Sequence, residues 1–324
     1  MADDELTAIA RRYRTFADVD AAATSPRYAE LASGVAADEQ LLRFLAGLPD
    51  GKRQPNLLFG AVQYLYGVPA DVAELRARVG DDPERVRAVM LSRATQTNEA
   101  ARCAALLPLL SSIDGPLALI ELGASAGLCL YPDRYSYAYD GTLVGAPSPV
   151  HLPSTTSGGV PVPGRLPDVV ARIGVDLNPL DPGDADTRTW LRALVWPGPN
   201  SVDRLQRLDA ACGIARREPA EMLAGNLLDR LPDALTRVPG GCTPVVFHTA
   251  VLAYLRENDR AAFAAMVRAL PVRWIAQEAP GVVPGTGEAS ADGSWGEHFV
   301  LSLDGRPVAH TAPHGGRIEW LHAA

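Results

Sequence analysis

Apolar side chains recur at helical spacing through roughly the first hundred residues. In ELTAIARRYRTFA, Leu6, Ile9, Ala10, Tyr13 and Phe16 share one face. RYAELASGV after Pro26 repeats the pattern, as does DEQLLRFLAGL before the break at Pro49-Asp50-Gly51. NLLFGAVQYLYG is almost wholly apolar and reads as a buried helix. PADVAELRARV places Pro69 and Asp71 in a first helical turn. From Glu84 to Ile113 the pattern predicts one long helix or two abutting ones, ending at Asp114-Gly115-Pro116.

From Leu117 the period changes. LALIELG, RIGVDLNP, PVVFHTAV and VRWIAQEAPG are short apolar runs that end in polar or small residues, as buried parallel strands do. EMLAGN is a weaker strand. DTRTWLRALVW, SVDRLQRLDAACGIARR and ENDRAAFAAMVRAL separate these runs with helical patterns. The tail reads as strands joined at Asp304-Gly305. The order predicts an α/β fold: a mostly parallel sheet with an antiparallel C-terminal hairpin, behind an N-terminal helical cap. The expected division is 1–114 for the cap and 115–324 for the sheet domain. Residues 131–168, rich in Pro, Gly and Ser, read as an extended insertion or lid in which only SYAYDG alternates as a strand.

Composition narrows the function classes. Among 324 residues, 47% are hydrophobic and 21% charged, as in a folded globular chain. Lys and Arg total 30 against 38 Asp and Glu, for a net charge of −8, so no net basic field attracts nucleic acid. The four cysteines are far apart with no Cys-x-x-Cys pair, which argues against a disulfide framework and a zinc ribbon. No apolar run reaches membrane-spanning length and no signal core opens the chain. These features predict a soluble, cytoplasmic protein.

The chemistry is concentrated in Glu121-Leu122-Gly123-Ala124-Ser125-Ala126-Gly127. A dinucleotide fingerprint would need glycine at 123, 125 and 128, and Ser125 and Leu128 break it. The segment instead resembles the acid-x-Gly-x-Gly-x-Gly turn of class I S-adenosylmethionine (SAM) methyltransferases, with Ser125 for the second glycine. Glu121, Gly123, Ala124, Ser125 and Gly127 are therefore candidate cofactor contacts. Glycine lets backbone approach a ligand, and the acid accepts from a cation or hydroxyl. A valine at Gly123 is expected to block the cofactor and leave the fold intact. The competing reading is a tight strand-to-loop turn without a ligand.

ALIELGASAGLCLYPDRYSY, GVDLNPLD, WLRALVWP, VVFHTAVLAYL and APHGGRIEWL, with QTNEAARCAALLP and QPNLLFGAVQYL, resemble a bacterial family known as domain of unknown function 2332. The resemblance spans most of the chain and implies a Rossmann-like class I methyltransferase sheet with an N-terminal helical cap. The chain departs from the family at Cys129, where Asn is usual, and at Asn226, where Asp is usual. An acid after the third strand commonly holds the adenine amino group, and Asn226 offers one amide oxygen for it. For the two ribose hydroxyls Asp176 in GVDLNP is the better candidate, against an Asx-type turn into Asn178-Pro179, and Asp140 in YAYDG lies nearer the usual distance from Glu121.

Further candidates stand at strand ends. His248 in PVVFHTAV is placed as a general base, against a structural role in the strand. Tyr254 lies six residues on, and Glu278 ends the next strand as a substrate-facing acid. In the tail, His310, His314 and Glu319, with His298, invite a metal. Pro313 and Gly315-Gly316 forbid the helix that a His-x-x-x-His pair needs, so no metal is expected and His314 is read as a loop histidine near the cleft. Asn98 and Arg102, in the polar run QTNEAAR, either overlie the cofactor cleft or form a solvated helix face. The resulting expectation is a SAM-dependent methyltransferase of a small molecule, with no nucleic-acid or membrane partner. Its rival is a SAM- or nucleoside-binding protein of the same fold with other chemistry or none.

Overall fold

The computed structural model of the chain describes residues 2–286, 295 and 298–321. It forms two compact units, residues 1–97 with 184–206 and residues 98–183 with 207–324. Six helices come first: α1 (Ala2–Thr15), α2 (Pro26–Val35), α3 (Glu39–Ala46), α4 (Pro55–Tyr66), α5 (Val72–Asp81) and α6 (Pro83–Ser92). Then follow α7 (Cys103–Ser112), β1 (Leu117–Leu122), β2 (Ser136–Tyr139), β3 (Thr142–Val144), β4 (His151–Ser157) and β5 (Val169–Asp176). The chain continues with α8 (Ala185–Ala193), α9 (Ser201–Arg217), β6 (Glu221–Ala224), α10 (Leu227–Leu235) and β7 (Thr243–Thr249). It closes with α11 (Glu257–Ala269), β8 (Arg273–Glu278), β9 (Phe299–Leu303), β10 (Arg306–Thr311) and β11 (Arg317–Trp320). No helix among the described residues is long and apolar enough to cross a membrane.

The first unit is helical. Aspartates at 38, 71, 82 and 184 cap α3, α5, α6 and α8 by accepting a backbone N–H of the first turn. Asp71 thus stands just outside α5, and Pro69 precedes the helix. The core gathers Tyr13, Tyr28, Leu31, Leu41 and Phe59 with Trp190 of α8. Tyr28 and Phe59 pack with their rings tilted by 45° and their centroids 4.7 Å apart. The two helices read from 84 to 113 do not abut: α6 ends at Ser92, and residues 93–99 run without helix.

The second unit is an α/β layer around an eleven-stranded mixed sheet ordered β3-β2-β4-β11-β10-β9-β8-β7-β1-β5-β6. Six of its ten pairings are parallel and four antiparallel, the latter being β2/β3, β8/β9, β9/β10 and β10/β11. The mostly parallel sheet read from the apolar runs is therefore present. Side chains alternate across each strand. Ile120, Leu122, Ile173, Val175, Val246 and Trp274 face Leu231 of α10 and Phe263 and Val267 of α11 in one core. Glu121, Phe247, Thr249, Ile275 and Gln277 point from the same strands to the opposite face.

Residues 131–168 differ from their expectation. They are no lid outside the sheet: β2, β3 and β4 all belong to it, and β4 runs parallel to β11. Tyr131, Tyr135, Tyr137 and Tyr139 are buried, and their hydroxyls donate to the carbonyls of Glu218, Leu128, Pro132 and Ala104 at 2.6–2.7 Å. Four buried rings with satisfied hydroxyls make this Pro- and Gly-rich stretch part of the core. The tail likewise exceeds a hairpin, since β11 joins the C-terminal strands to β4.

Candidate functional site

The strand order reverses at β1. The chain steps from β1 to β5 and β6 on one side, then crosses back to β7 and β8 on the other. Open parallel sheets leave a crevice at such a point, beyond the carboxyl ends of the strands. The glycine turn lies there. Gly123, Ser125 and Gly127 have φ of 68°, 51° and 67°, so the turn needs the left-handed region three times within five residues. A Cβ on Gly123 would stand 2.4 Å from Cγ2 of Val251, in the loop that follows β7. Gly123 is therefore required by φ and by packing. A valine there disrupts the fold locally, contrary to the expectation of an intact fold.

Every backbone N–H of the turn is already engaged. Those of Gly123 and Ala124 donate to the Val175 carbonyl at 2.8 and 3.1 Å, and that of Gly127 to the Ala124 carbonyl at 2.6 Å. The Ser125 N–H donates to Asp176 Oδ2 at 2.8 Å, and the Ala126 N–H to Asn98 Oδ1 at 3.0 Å. Two short 3-10 turns, Leu128–Leu130 and Pro132–Arg134, follow in place of an α-helix. A phosphate needs free N–H groups and a helix N-terminus. This turn supplies neither, so it is unsuited to a nucleotide phosphate.

Of the two ribose candidates, the fold brings Asp176 to the turn. Asp140 sits in the β2–β3 connection, and its carboxylate accepts from the Thr156 N–H. Residues 123–127 also spell Gly-x-Ser-x-Gly, with the serine in a strained conformation, the outline of a nucleophile elbow. Asn98 Nδ2 donates to Ser125 Oγ at 2.7 Å, while its Oδ1 holds the N–H that an oxyanion would need. Asn98 thus stands where a base and a substrate carbonyl would have to be.

The polar run is an organiser rather than a solvated helix face. Asn98 holds the glycine turn. Glu99, buried, caps the Ala100–Arg102 turn and pairs with Arg207 Nε at 2.7 Å. Arg102, buried, donates from Nη1 to the Thr249 carbonyl at 2.9 Å and Thr249 Oγ1 at 3.0 Å, and from Nε to the Pro313 carbonyl at 3.1 Å. Glu121 is buried beside this cluster, and its Oε2 has no hydrogen-bond partner. Burial pushes its carboxyl well above the ordinary value; nearby Cys129 and Asp176 add to this and Arg102 opposes it.

His248 is not brought to the crevice. It is wholly buried on the α10/α11 face, with its ring edge against Phe263. The Trp274 indole donates to Nε2 at 3.0 Å, so Nδ1 carries the hydrogen and donates to Glu278 Oε1 at 2.6 Å. With both nitrogens engaged, the ring has no site for a substrate proton, and it acts as a core residue instead of the expected base. Glu278 is buried on the same face as His248 and Trp274, opposite to that of Glu121, and its Oε2 has no hydrogen-bond partner. Its Oε1 also accepts the N–H groups of Val251 and Leu252 at 2.8 and 3.0 Å. Burial pushes its carboxyl up, but the bonds from His248, Leu252 and Val251 outweigh it and leave the group below the ordinary carboxylate value.

Tyr254 ends the short turn after β7 and is 87% exposed. Asn226 is the N-cap of α10, its Oδ1 accepting the Leu228 N–H at 2.8 Å. His314 is exposed in the β10–β11 connection. His298 and His310 lie edge to face at 5.0 Å, and Glu319 accepts from the Trp295 indole at 2.6 Å. Among the described residues no three His, Cys, Asp or Glu side chains are placed to hold a metal.

Sequence reading missed three residues here. Gly174 lets the turn lie on β5, since a Cβ would meet Met222 Sδ at 2.5 Å and Ala124 Cβ at 2.9 Å. Val251 fills the space above Gly123. Gln277 carries a buried amide on the Glu121 face. The Gly-Val-Asp spelling before the acid was the only available signal, and it concerned Gly174 alone. No curated protein and no solved structure matches the chain. One family model, described as an uncharacterized protein conserved in bacteria (DUF2332), matches residues 10–320. With nearly the whole chain covered, the protein belongs to that family.

Proposed function

We propose that this protein is a SAM-dependent methyltransferase acting on a small molecule. The observation that carries the reading is the turn at the β1/β7 crossover. It offers acidic acceptors and no free backbone donor, which favours a cationic, hydroxyl-bearing ligand without phosphate. SAM has that chemistry, and the order β6-β5-β1-β7-β8 of parallel strands is consistent with a Rossmann-like methyltransferase sheet. Glu121 Oε2 is an orphaned acceptor suited to the ligand ammonium, and Asp176 to the ribose hydroxyls. Leu177, 78% exposed beside Asp176, offers an apolar surface to a planar base. Asn226 retains one lone pair for an exocyclic amine.

Bound SAM supplies an electrophilic methyl group on a sulfonium. The chain's contribution is then to hold the two partners in line and exclude water. With His248 engaged in the core, the reading favours an acceptor that attacks through a lone pair already free at neutral pH. Calorimetry with S-adenosylhomocysteine tests the binding step. Asp176→Ala and Glu121→Gln should each weaken it, and no binding by the wild-type chain would overturn the proposal. Mass spectrometry of candidate acceptors incubated with SAM separates methyl transfer from binding alone.

A further inference from the structure

We infer that Arg102 and Gln277 form a buried receptor for a small carboxylate that carries a neighbouring hydroxyl or amide N–H donor. The inference names the substrate class of the site proposed above and rests on that reading only for the origin of the ligand. Arg102 is 6% exposed, and all three of its bonds go to neutral oxygens, the carbonyls of Thr249 and Pro313 and the Thr249 hydroxyl. Among the described residues no carboxylate lies within ion-pair distance of it, and Nη2 has no hydrogen-bond partner. Buried arginines are normally paired, because water no longer screens the charge. Nε and Nη1 are taken, so a ligand carboxylate at Nη2 supplies a directly bonded anion through one charge-assisted hydrogen bond, which the buried Glu121 nearby does not make.

Gln277 is the independent second observation. It is 0% exposed, its Nε2 donates to Thr311 Oγ1 at 2.8 Å, and its Oε1 has no partner. The Thr311 bond leaves Oε1 as the free end of the amide. Gln277 stands in register with Thr249, the residue that holds Arg102, and both side chains point to one sheet face. Adjacent strands lie about 4.8 Å apart. That spacing is short enough for one small molecule to reach both the guanidinium and the amide oxygen, which the receptor requires. The oxygen requires a donor, and the nearby guanidinium disfavours an ammonium, which leaves a hydroxyl or an amide N–H.

The test is calorimetry on the full chain with lactate, glycolate and N-acetylglycine, each against its methyl ester. At least one acid should bind, with its ester weaker by about tenfold or more, the equivalent of one charge-assisted hydrogen bond. Gln277→Met should weaken that acid about tenfold while the melting temperature stays near wild type. Arg102→Lys should weaken it by at least as much, and Gln277→Met decides the matter if the lysine variant does not fold. Equal binding of acid and ester, no binding of any acid, or unchanged affinity in Gln277→Met would overturn the receptor. S-adenosylhomocysteine and methylthioadenosine identify the source, since only the former carries a carboxylate. Selective weakening of S-adenosylhomocysteine by Arg102→Lys assigns the carboxylate to the cofactor. Unchanged S-adenosylhomocysteine binding with loss of the acid assigns it to the substrate. If neither adenosyl compound binds the wild-type chain but an acid does, the methyltransferase reading fails and the receptor stands.

Discussion

Gly123→Ala should destabilise the protein for two separable reasons. The residue has φ of 68°, where an L side chain costs about 1–2 kcal/mol. Its Cβ would also lie 2.4 Å from Val251 Cγ2 and 2.9 Å from Cγ1, an overpacking that typically costs about 1–3 kcal/mol. The sum is about 2–5 kcal/mol. Val251→Ala alone removes half-buried methyl groups and should cost about 1 kcal/mol. In the double variant the clash disappears and only the φ cost and the methyl loss remain. The cycle should therefore show a favourable coupling of about 1–3 kcal/mol between the substitutions. Urea titration followed by tryptophan fluorescence measures it, with the midpoint moving and the slope unchanged. A single variant within about 0.5 kcal/mol of wild type, or strictly additive costs, would refute the packing argument. The double variant is also the better background for ligand binding, because Gly123→Ala alone mixes lost affinity with lost stability.

Three more expectations follow from the buried groups. His248→Gln should cost about 1–3 kcal/mol, since the Trp274 indole and Glu278 lose a matched partner, while S-adenosylhomocysteine affinity per folded molecule stays within about twofold. Unchanged stability with lost affinity would return His248 to the site. Glu278 has a lowered carboxyl pKa in the fold, so its contribution is present above the ordinary value of 4.5 and is lost as pH falls through the folded value. Glu278→Gln should flatten that acid limb of a melting-temperature profile, and an unaltered limb would exclude Glu278 as its source. Glu121 has the opposite sign: its contribution is full below 4.5 and declines as pH rises through its raised folded value. Glu121→Gln should be the more stable protein at neutral pH but the weaker binder of a cationic ligand. Wild-type binding should also release a proton, seen as a buffer-dependent enthalpy, and its absence would separate Glu121 from the ligand charge.

The sequence by itself determined the elements whose pattern is local. The short continuous apolar runs became β1, β5, β7 and β8, and the helical spacing became α1 to α4, because run length and spacing are local properties. The glycine turn was equally legible, since three left-handed residues in five leave a mark in composition. The tertiary structure decided everything that depends on a partner distant in sequence. Local pattern favoured Asp176 but left Asp140 open, and the parallel pairing of β1 with β5 brought Asp176 to Ser125. His248 looked like a strand-end base, yet strand alternation turned it into the core toward Trp274. The QTNEAAR run left a cleft wall and a helix face equally open because its partners, Ser125, Arg207, Thr249 and Pro313, are spread over the following two hundred or so residues. The Pro- and Gly-rich stretch from 131 had no strong period, and its strands are stabilised by neighbours in the sheet and by tyrosine hydroxyls bonded to remote carbonyls. A charge or a hydrogen bond is satisfied by what stands opposite in space, and only the folded chain supplies that neighbour.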